Sequence, residues 1–318
     1  MRTRTLGWTG VELTTIGLGT WAMGGSGWQF SWGPQDDTQS IGAIHRALEL
    51  GINWIDTAPA YGLGHSEQVV GRSIREMTRR PFVATKCSRV WDERGALGSC
   101  LKTESIRREA EDSLRRLQVD VIDLYQIHWA MPDEDIEEGW TAVADLIRQG
   151  KVRYGGVSNF SVAQLERIAK IHPIASIQPP YSMLVRGIEK DLLPYCAANR
   201  IGVVCYSPMY KGLLTGRFTR ERLQHLAEDD HRRRDPRFQE PQISANLKLV
   251  ADLSPLAQQE RRTLSELAIA WVLRRPEVTS AIVGARSAQQ VDEFAAAGDW
   301  SLPAGLQTRI EELLVQAS

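Results

Sequence analysis

The sequence predicts an α/β fold, a closed (β/α)8 barrel, on three observations. Eight short apolar runs alternate with amphipathic stretches of helical period along the 318 residues. Three successive runs end on an ionisable side chain: residues 51–56 (GINWID) on Asp56, 81–86 (PFVATK) on Lys86 and 121–128 (VIDLYQIH) on His128. No linker, internal repeat or low-complexity tract divides the chain, so residues 1–318 read as one domain.

The elements follow in order. Residues 1–14 precede the first barrel strand, and residues 6–11 (LGWTGV) read as a small hairpin that plugs the barrel floor. Barrel strands are expected at 15–18, 53–56, 82–86, 121–128, 152–157, 175–178, 202–207 and 280–283. Between them Ile41, Ile44 and Leu48 recur at helix spacing, as do Ile136, Trp140, Val143 and Ile147, a helix that stops at Gly150. Ser161 with Gln164, and Thr263 with Glu266, read as capping boxes opening two more helices. The charged stretch 217–246 follows the seventh strand, so it emerges on the face where the strands end. A loop this long is usually either functional or disordered. Residues 17–22 (GLGTWA) match a relaxed dinucleotide fingerprint after a strand. The continuation WAMGGSGW is too rich in glycine for the helix that fingerprint requires, and the Rossmann reading is set aside.

Composition excludes several function classes. Net charge is −1 and the pI is about 6.6, which leaves no single-sign field for nucleic acid or an anionic membrane. No apolar run approaches the roughly 20 residues of a membrane span, and MRTRTLGWTG lacks the apolar core of a signal peptide, so a cytoplasmic protein is expected. Cys87, Cys100, Cys196 and Cys205 form no C-x-x-C pair and lie near no spaced histidines, so they read as free thiols and no metal site is expected. The ten tryptophans suit core or pocket wall.

A strand that is apolar throughout is buried on both faces, and a charge at its end is costly unless it meets a partner or a ligand. Three such endings on successive strands predict one polar cluster at the barrel edge where chemistry occurs. Tyr61, five residues after Asp56, joins it. A phenol with a pKa near ~10 is a weak acid at neutral pH. A lysine beside Tyr61 favours the phenolate, and Lys86 needs a carboxylate to stay charged, for which Asp56 is the candidate. A neutral His128 donates to the substrate oxygen or orients it. The set suits protonation of an oxygen while another group attacks carbon, as in hydride reduction of a carbonyl. Singly, each residue has a blander reading: Asp56 as a strand-end cap with Thr57, Tyr61 as a wall aromatic, Lys86 snorkelling to solvent, His128 as a satisfied core histidine. Three of them on successive strands weigh against coincidence.

The stretches IGLGTWAMGG, IDTAPAYGLGHSE, ATK, LYQIHW, GVSNFS, CYSPMYKGLLTGRF and AIVGAR, in that order and spacing, resemble the aldo-keto reductases over nearly the whole chain. With Arg237-Phe238 in the long loop, the pattern is most similar to the bacterial general aldo/keto reductases. The resemblance implies a (β/α)8 barrel that reduces aldehydes or ketones, sugars or other small carbonyl compounds among them, with NADP(H). It implies a tetrad of Asp56, Tyr61, Lys86 and His128, with Tyr61 as general acid. It also implies that Gly19, Thr20, Trp21 and Asp56 flank the nicotinamide, while Ser158, Asn159 and Gln178 hold its carboxamide. Tyr206 is expected to stack on the ring, or else to be core at a strand end. Ser207, Met209, Gly212 and Leu213 are expected along the pyrophosphate, although Gly212 with Gly216 is also an ordinary turn. Arg286, Gln290 and Glu293 fall at the adenosine end, and Arg217 and Gly284 complete the cofactor contacts. Ser287 and Gln290 also read as a capping box.

Two departures stand out. Glu293-Phe294 replaces the family's usual Glu-Asn, removing an adenine-binding amide and offering a ring instead. Pro179-Pro180-Tyr181 follows Gln178 where a single polar residue is more usual. Arg286, aided by arginines 232–234 if the loop folds over, favours the 2′-phosphate of NADPH over NADH. That loop is expected to be mobile until cofactor binds. Trp21, Trp28, Trp91 and Trp129 are expected to line the substrate pocket. Oligomeric state is not legible. Two rival readings remain: a non-catalytic nucleotide-sensing subunit similar to potassium channel beta subunits, and a lyase or isomerase using Lys86 as a Schiff-base amine, which a charged Asp56–Lys86 pair disfavours.

Overall fold

A computed structural model of the chain describes residues 1–316. The hairpin is β1 (Thr3–Thr5) and β2 (Glu12–Thr14), joined by the 6–11 segment with a Leu6 N–H to Val11 C=O bond of 2.8 Å. The barrel strands are β3 (Ile16–Gly19), β4 (Trp54–Asp56), β5 (Phe82–Cys87), β8 (Ile122–Ile127), β9 (Val152–Ser158), β10 (Ser176–Gln178), β11 (Gly202–Tyr206) and β12 (Val278–Gly284). They close in that order, all parallel, with β12 against β3. Their ends lie within two residues of the sequence expectation. A second hairpin, β6 (Arg89–Trp91) with β7 (Leu97–Ser99), rises from the loop after β5 and was not expected.

Helices α1 (Asp37–Glu49), α2 (His65–Ile74), α3 (Thr103–Leu117), α4 (Ile136–Arg148), α5 (Val162–Ile168) and α6 (Leu192–Ala198) follow successive strands. After β11 come the short α7 (Arg220–Gln224), then α8 (Gln242–Gln259) and α9 (Leu264–Leu273). Helices α10 (Ala288–Asp292) and α11 (Ala304–Gln316) close the chain. Both expected capping boxes are present, at the starts of α5 and α9. The third is only half formed. Ser287 accepts from Gln290 N–H, but Gln290 Oε1 accepts from Arg286 N–H at 2.8 Å instead of closing on Ser287. No helix among the described residues is long and apolar enough to cross a membrane.

The inner face of the barrel changes character along the strands. At the floor Trp54, Ala84, Leu124 and Val204 pack with Leu6 and Leu13, so the N-terminal hairpin does seal the bottom. A Cβ on Gly17 would lie 2.1 Å from the Trp54 ring, so only glycine lets that indole cross the barrel. Two residues further along each strand, on the same face by the period of two, the inward positions are Asp56, Lys86, Gln126, Ser158, Gln178 and Tyr206. The outward positions stay apolar, with Ile55, Val83, Ile127, Val157 and Ile177 in the core beneath the helices.

The 217–246 stretch is built, not structureless. It contains α7 and two 3₁₀ turns, His231–Arg234 and Pro236–Phe238, and Asn246 already lies inside α8. Leu213, Phe218, Phe238 and Ile243 form its own small core. Arg232 pairs with Asp230 in bidentate fashion (Nη2–Oδ2 2.6 Å, Nε–Oδ1 3.0 Å), both buried.

Candidate active site

Strand geometry brings the four predicted residues together at the C-terminal mouth of the barrel. Asp56 ends β4, Lys86 lies near the end of β5, and His128 follows β8 with its N–H on Cys87 C=O (3.0 Å). Tyr61 reaches back from the loop after β4. Gly62 (φ +64°) turns that loop against Gly24, and a Cβ there would sit 2.0 Å from Gly24 O. Lys86 Nζ donates to Asp56 Oδ1 at 2.6 Å, to Thr57 O at 2.9 Å and to the Tyr61 hydroxyl oxygen at 3.2 Å. All three ammonium protons are thereby used. Asp56 Oδ2 accepts from Gln178 Nε2 (2.8 Å) and Gln126 Nε2 (3.3 Å). The His128 ring stands edge-on to Tyr61, centroids 5.9 Å apart.

Burial sets the protonation states. It pulls the Lys86 ammonium down, opposed by the charge and hydrogen bond of Asp56. It pushes the Tyr61 phenol well up, and the charge of Asp56 adds to that. The sequence predicts that Lys86 lowers the Tyr61 pKa. In the cavity burial, and after it the charge of Asp56, outweigh that effect. Burial, then the charges of Lys86 and Arg89, hold His128 well below the usual histidine range, so it is neutral. Its Nδ1 is buried without a partner.

A cavity of about 1000 Å³ opens over this cluster, with Trp129 and Phe294 among the residues that border it. Of the residues expected around nicotinamide, Gly19, Thr20, Trp21, Ser158, Asn159, Gln178 and Tyr206 all border it. Several are already engaged with one another: Tyr206 OH donates to Asn159 Oδ1 (2.9 Å), Asn159 Nδ2 to His128 O (3.0 Å) and Ser158 Oγ to Gln178 O (2.8 Å). Asn159 (φ +61°) and Ser207 (φ +57°) are non-glycine residues in the left-handed region just past β9 and β11, as functional strand ends often are. Ser207, Met209, Gly212, Arg217, Gly284, Arg286, Gln290 and Glu293 also border the cavity.

Three expected residues do not border the cavity, and one of them is Lys86, which is fully buried. Leu213 turns into the small core of the long loop, fully buried. Trp91 pairs with Leu97 two positions out along the β6–β7 arm, where Arg89 and Leu97 face the opening instead. Trp21 stacks on Tyr61 (6.2 Å, 19°), Trp28 lies 6.3 Å from the same ring, and Trp129 stands at the mouth, 41% exposed. Arginines 232–234 are committed within the protein: Arg232 to Asp230, Arg233 to Leu226 O (3.0 Å) and Arg234 to Gln29 O (2.8 Å).

Three residues were missed. Gln126 lies in β8 two positions before His128, so period two would have found it. His231 stacks on Trp21 (4.8 Å, 24°) and donates Nδ1–H to Ser31 O (3.0 Å). Nothing local marks it, because its partners are some 200 residues away. Arg89 was hidden in the unpredicted hairpin.

Comparison with known proteins agrees with this geometry. Residues 15–315 match the Aldo/keto reductase family model. The chain is 40% identical over 309 residues to aldo-keto reductase YhdN of Bacillus subtilis, covering 96% of this chain and 91% of that one. It is 35% identical to the NADH-specific methylglyoxal reductase of Escherichia coli, covering 97% of each. Among solved structures, the glycerol dehydrogenase AKR11B4 from Gluconobacter oxydans superposes with a TM-score of 0.89 at 38% identity, covering 99% of this chain and 95% of that one.

Proposed function

The chain belongs to the aldo/keto reductase family of NAD(P)-dependent oxidoreductases, and from that premise we propose that it reduces small aldehydes or ketones to alcohols with NADPH, Tyr61 being the general acid. The observation that carries this is the Asp56–Lys86–Tyr61 hydrogen-bond chain ending in a cavity beside a neutral histidine. Lys86 donates to the phenolic oxygen, so the phenolic proton is left to point into the cavity. A phenol held protonated by burial is an acid waiting for an oxygen that gains charge; Lys86 then stabilises the phenolate left behind. A His128 tautomer with the proton on Nε2 avoids a buried, unpartnered N–H at Nδ1 and offers a second donor to the same oxygen. Trp21 and Trp28 cover Tyr61 and restrict water.

The residues suit a nicotinamide dinucleotide, which supplies hydride when bound. Tyr206 offers a ring at the wall, amide and hydroxyl groups cluster beside it, and basic side chains gather toward Phe294. Preference for NADPH is supported by that basic end. Arg217 pairs with Glu293 and Arg232 with Asp230, while Arg222 lies over the Phe218 ring, donates to Arg217 O at 3.4 Å without a carboxylate partner, and has its pKa lowered by burial and then by the charges of Arg232 and Arg217. Arg286 is less available than the sequence suggests, because Gln35 Oε1 (2.6 Å), Trp32 O and Pro34 O hold its donors. A 2′-phosphate would answer the unmatched charge of Arg222.

Tyr61→Phe tests the assignment. Reduction is expected to fall by about 10²–10⁴-fold while the Kd for NADPH, read by tryptophan fluorescence, changes by less than about threefold. Retained turnover would remove Tyr61 from its role.

A further inference from the structure

Arg89 borders the cavity and has no counter-ion among the described residues. Ser88, in the left-handed region (φ +74°), turns the chain directly after β5 and starts the β6–β7 arm with Arg89 over the barrel mouth. The side chain is half-buried and borders the same opening as Tyr61, His128 and Trp129. Its one hydrogen bond runs from Nη1 to the Ser99 hydroxyl at 2.7 Å, across the hairpin. No carboxylate lies within ion-pair distance of it among the described residues. The other arginines that border the cavity with acids in reach, Arg217 and Arg232, are both paired. Asp56, the acid nearest the reaction centre, is spent on Lys86. A guanidinium has five donors in a planar fork suited to a bidentate oxyanion, and here most of them have no protein acceptor. Holding such a group partly out of water is unfavourable unless a ligand completes it.

Resting on the reductase reading above, we propose that the substrate is a carbonyl compound carrying an anionic oxygen group, carboxylate or phosphate, which Arg89 binds while the carbonyl oxygen lies at Tyr61 and His128. Arg89 is then a specificity-determining residue. The aromatic walls lower the local dielectric and strengthen that pairing. A staple for the hairpin through Ser99 is the competing role, and it makes no distinction between charged and neutral substrates.

The test uses matched pairs: succinic semialdehyde against its methyl ester, and glyceraldehyde 3-phosphate against glyceraldehyde. Wild type is expected to favour the anion in at least one pair by about tenfold or more in kcat/KM, and that pair identifies carboxylate or phosphate. Arg89→Leu should lower the anion-to-neutral ratio about 10- to 100-fold, mainly through KM, and Arg89→Lys should retain part of it. Succinate should inhibit ester reduction by wild type more strongly than by Arg89→Leu. A wild-type ratio near one in both pairs, or equal losses on anion and neutral partner in Arg89→Leu, overturns the inference and leaves the reductase reading standing. Failure of wild type to reduce any of the four compounds while it binds NADPH overturns both.

Discussion

Replacing Asp56 by asparagine removes the carboxylate 2.6 Å from Lys86 Nζ and leaves that ammonium fully buried with neutral acceptors alone, Thr57 O, the Tyr61 oxygen and the new amide oxygen. An uncompensated buried ammonium sheds its proton. At pH 7 that means neutralising a group about three and a half pH units below its ordinary 10.5, at about 1.4 kcal/mol per unit, which sets a ceiling near ~5 kcal/mol. Loss of one member of a buried pair typically costs about 3–5 kcal/mol, in the same range. The sign of the pH dependence follows. With its folded pKa pushed further below the unfolded one, Lys86 binds its proton only in the unfolded chain across the window between them. The stability of the variant therefore rises with pH, by up to about 1.4 kcal/mol per unit, until the unfolded pKa is reached. Wild type shows a smaller rise, because Asp56 offsets part of the lowering. Urea unfolding without cofactor at pH 6, 7, 8 and 9 measures both quantities. A loss under about 1 kcal/mol at pH 7, or a pH slope no steeper than that of wild type, would refute the assignment of a charged, mutually dependent pair.

Two more perturbations read other parts of the site. Gly62→Ala places a Cβ 2.0 Å from Gly24 O at a φ of +64°, backbone against backbone. A destabilisation of about 1–3 kcal/mol with impaired turnover is expected, since Tyr61 is the preceding residue, and a melting temperature matching wild type would show that the loop relaxes freely. Burial lowers the His231 pKa to about 4. Docking of the long loop is therefore at full strength above the unfolded value of ~6.5 and weakens as pH falls toward 4, by up to about 3 kcal/mol. Limited proteolysis within 220–240 should accelerate between pH 7 and 4.5 in wild type, and His231→Phe, which keeps a ring against Trp21, should flatten that dependence; an unchanged pH profile in the variant would assign it to other groups.

The barrel and the four residues at its mouth were legible because both follow from local pattern. Strand length, helical period and caps are properties of neighbouring residues, and a charge that ends an apolar run announces that something at that edge must receive it. Gln126 was equally legible by alternation with His128 and Leu124. The β6–β7 arm was not, since Arg89–Trp91 and Leu97–Ser99 are three residues each and carry no sustained alternation. Its consequences, Arg89 at the opening and Trp91 off it, were lost with it. Arg286 borders the cavity, but its sequence could not say that Gln35, Trp32 and Pro34 hold its donors.

By itself, then, the sequence determined the class of fold and the edge of the barrel where Asp56, Tyr61, Lys86 and His128 meet, because each rests on contacts between near neighbours or on the period of a single strand. Tertiary structure alone decided which charges are neutralised. Arg217 is satisfied by Glu293 across 76 residues, while Arg89 has no acid within ion-pair distance among the described residues. Pairing is a matter of a few ångströms in space, and only the closed barrel brings residues so far apart along the chain within that range.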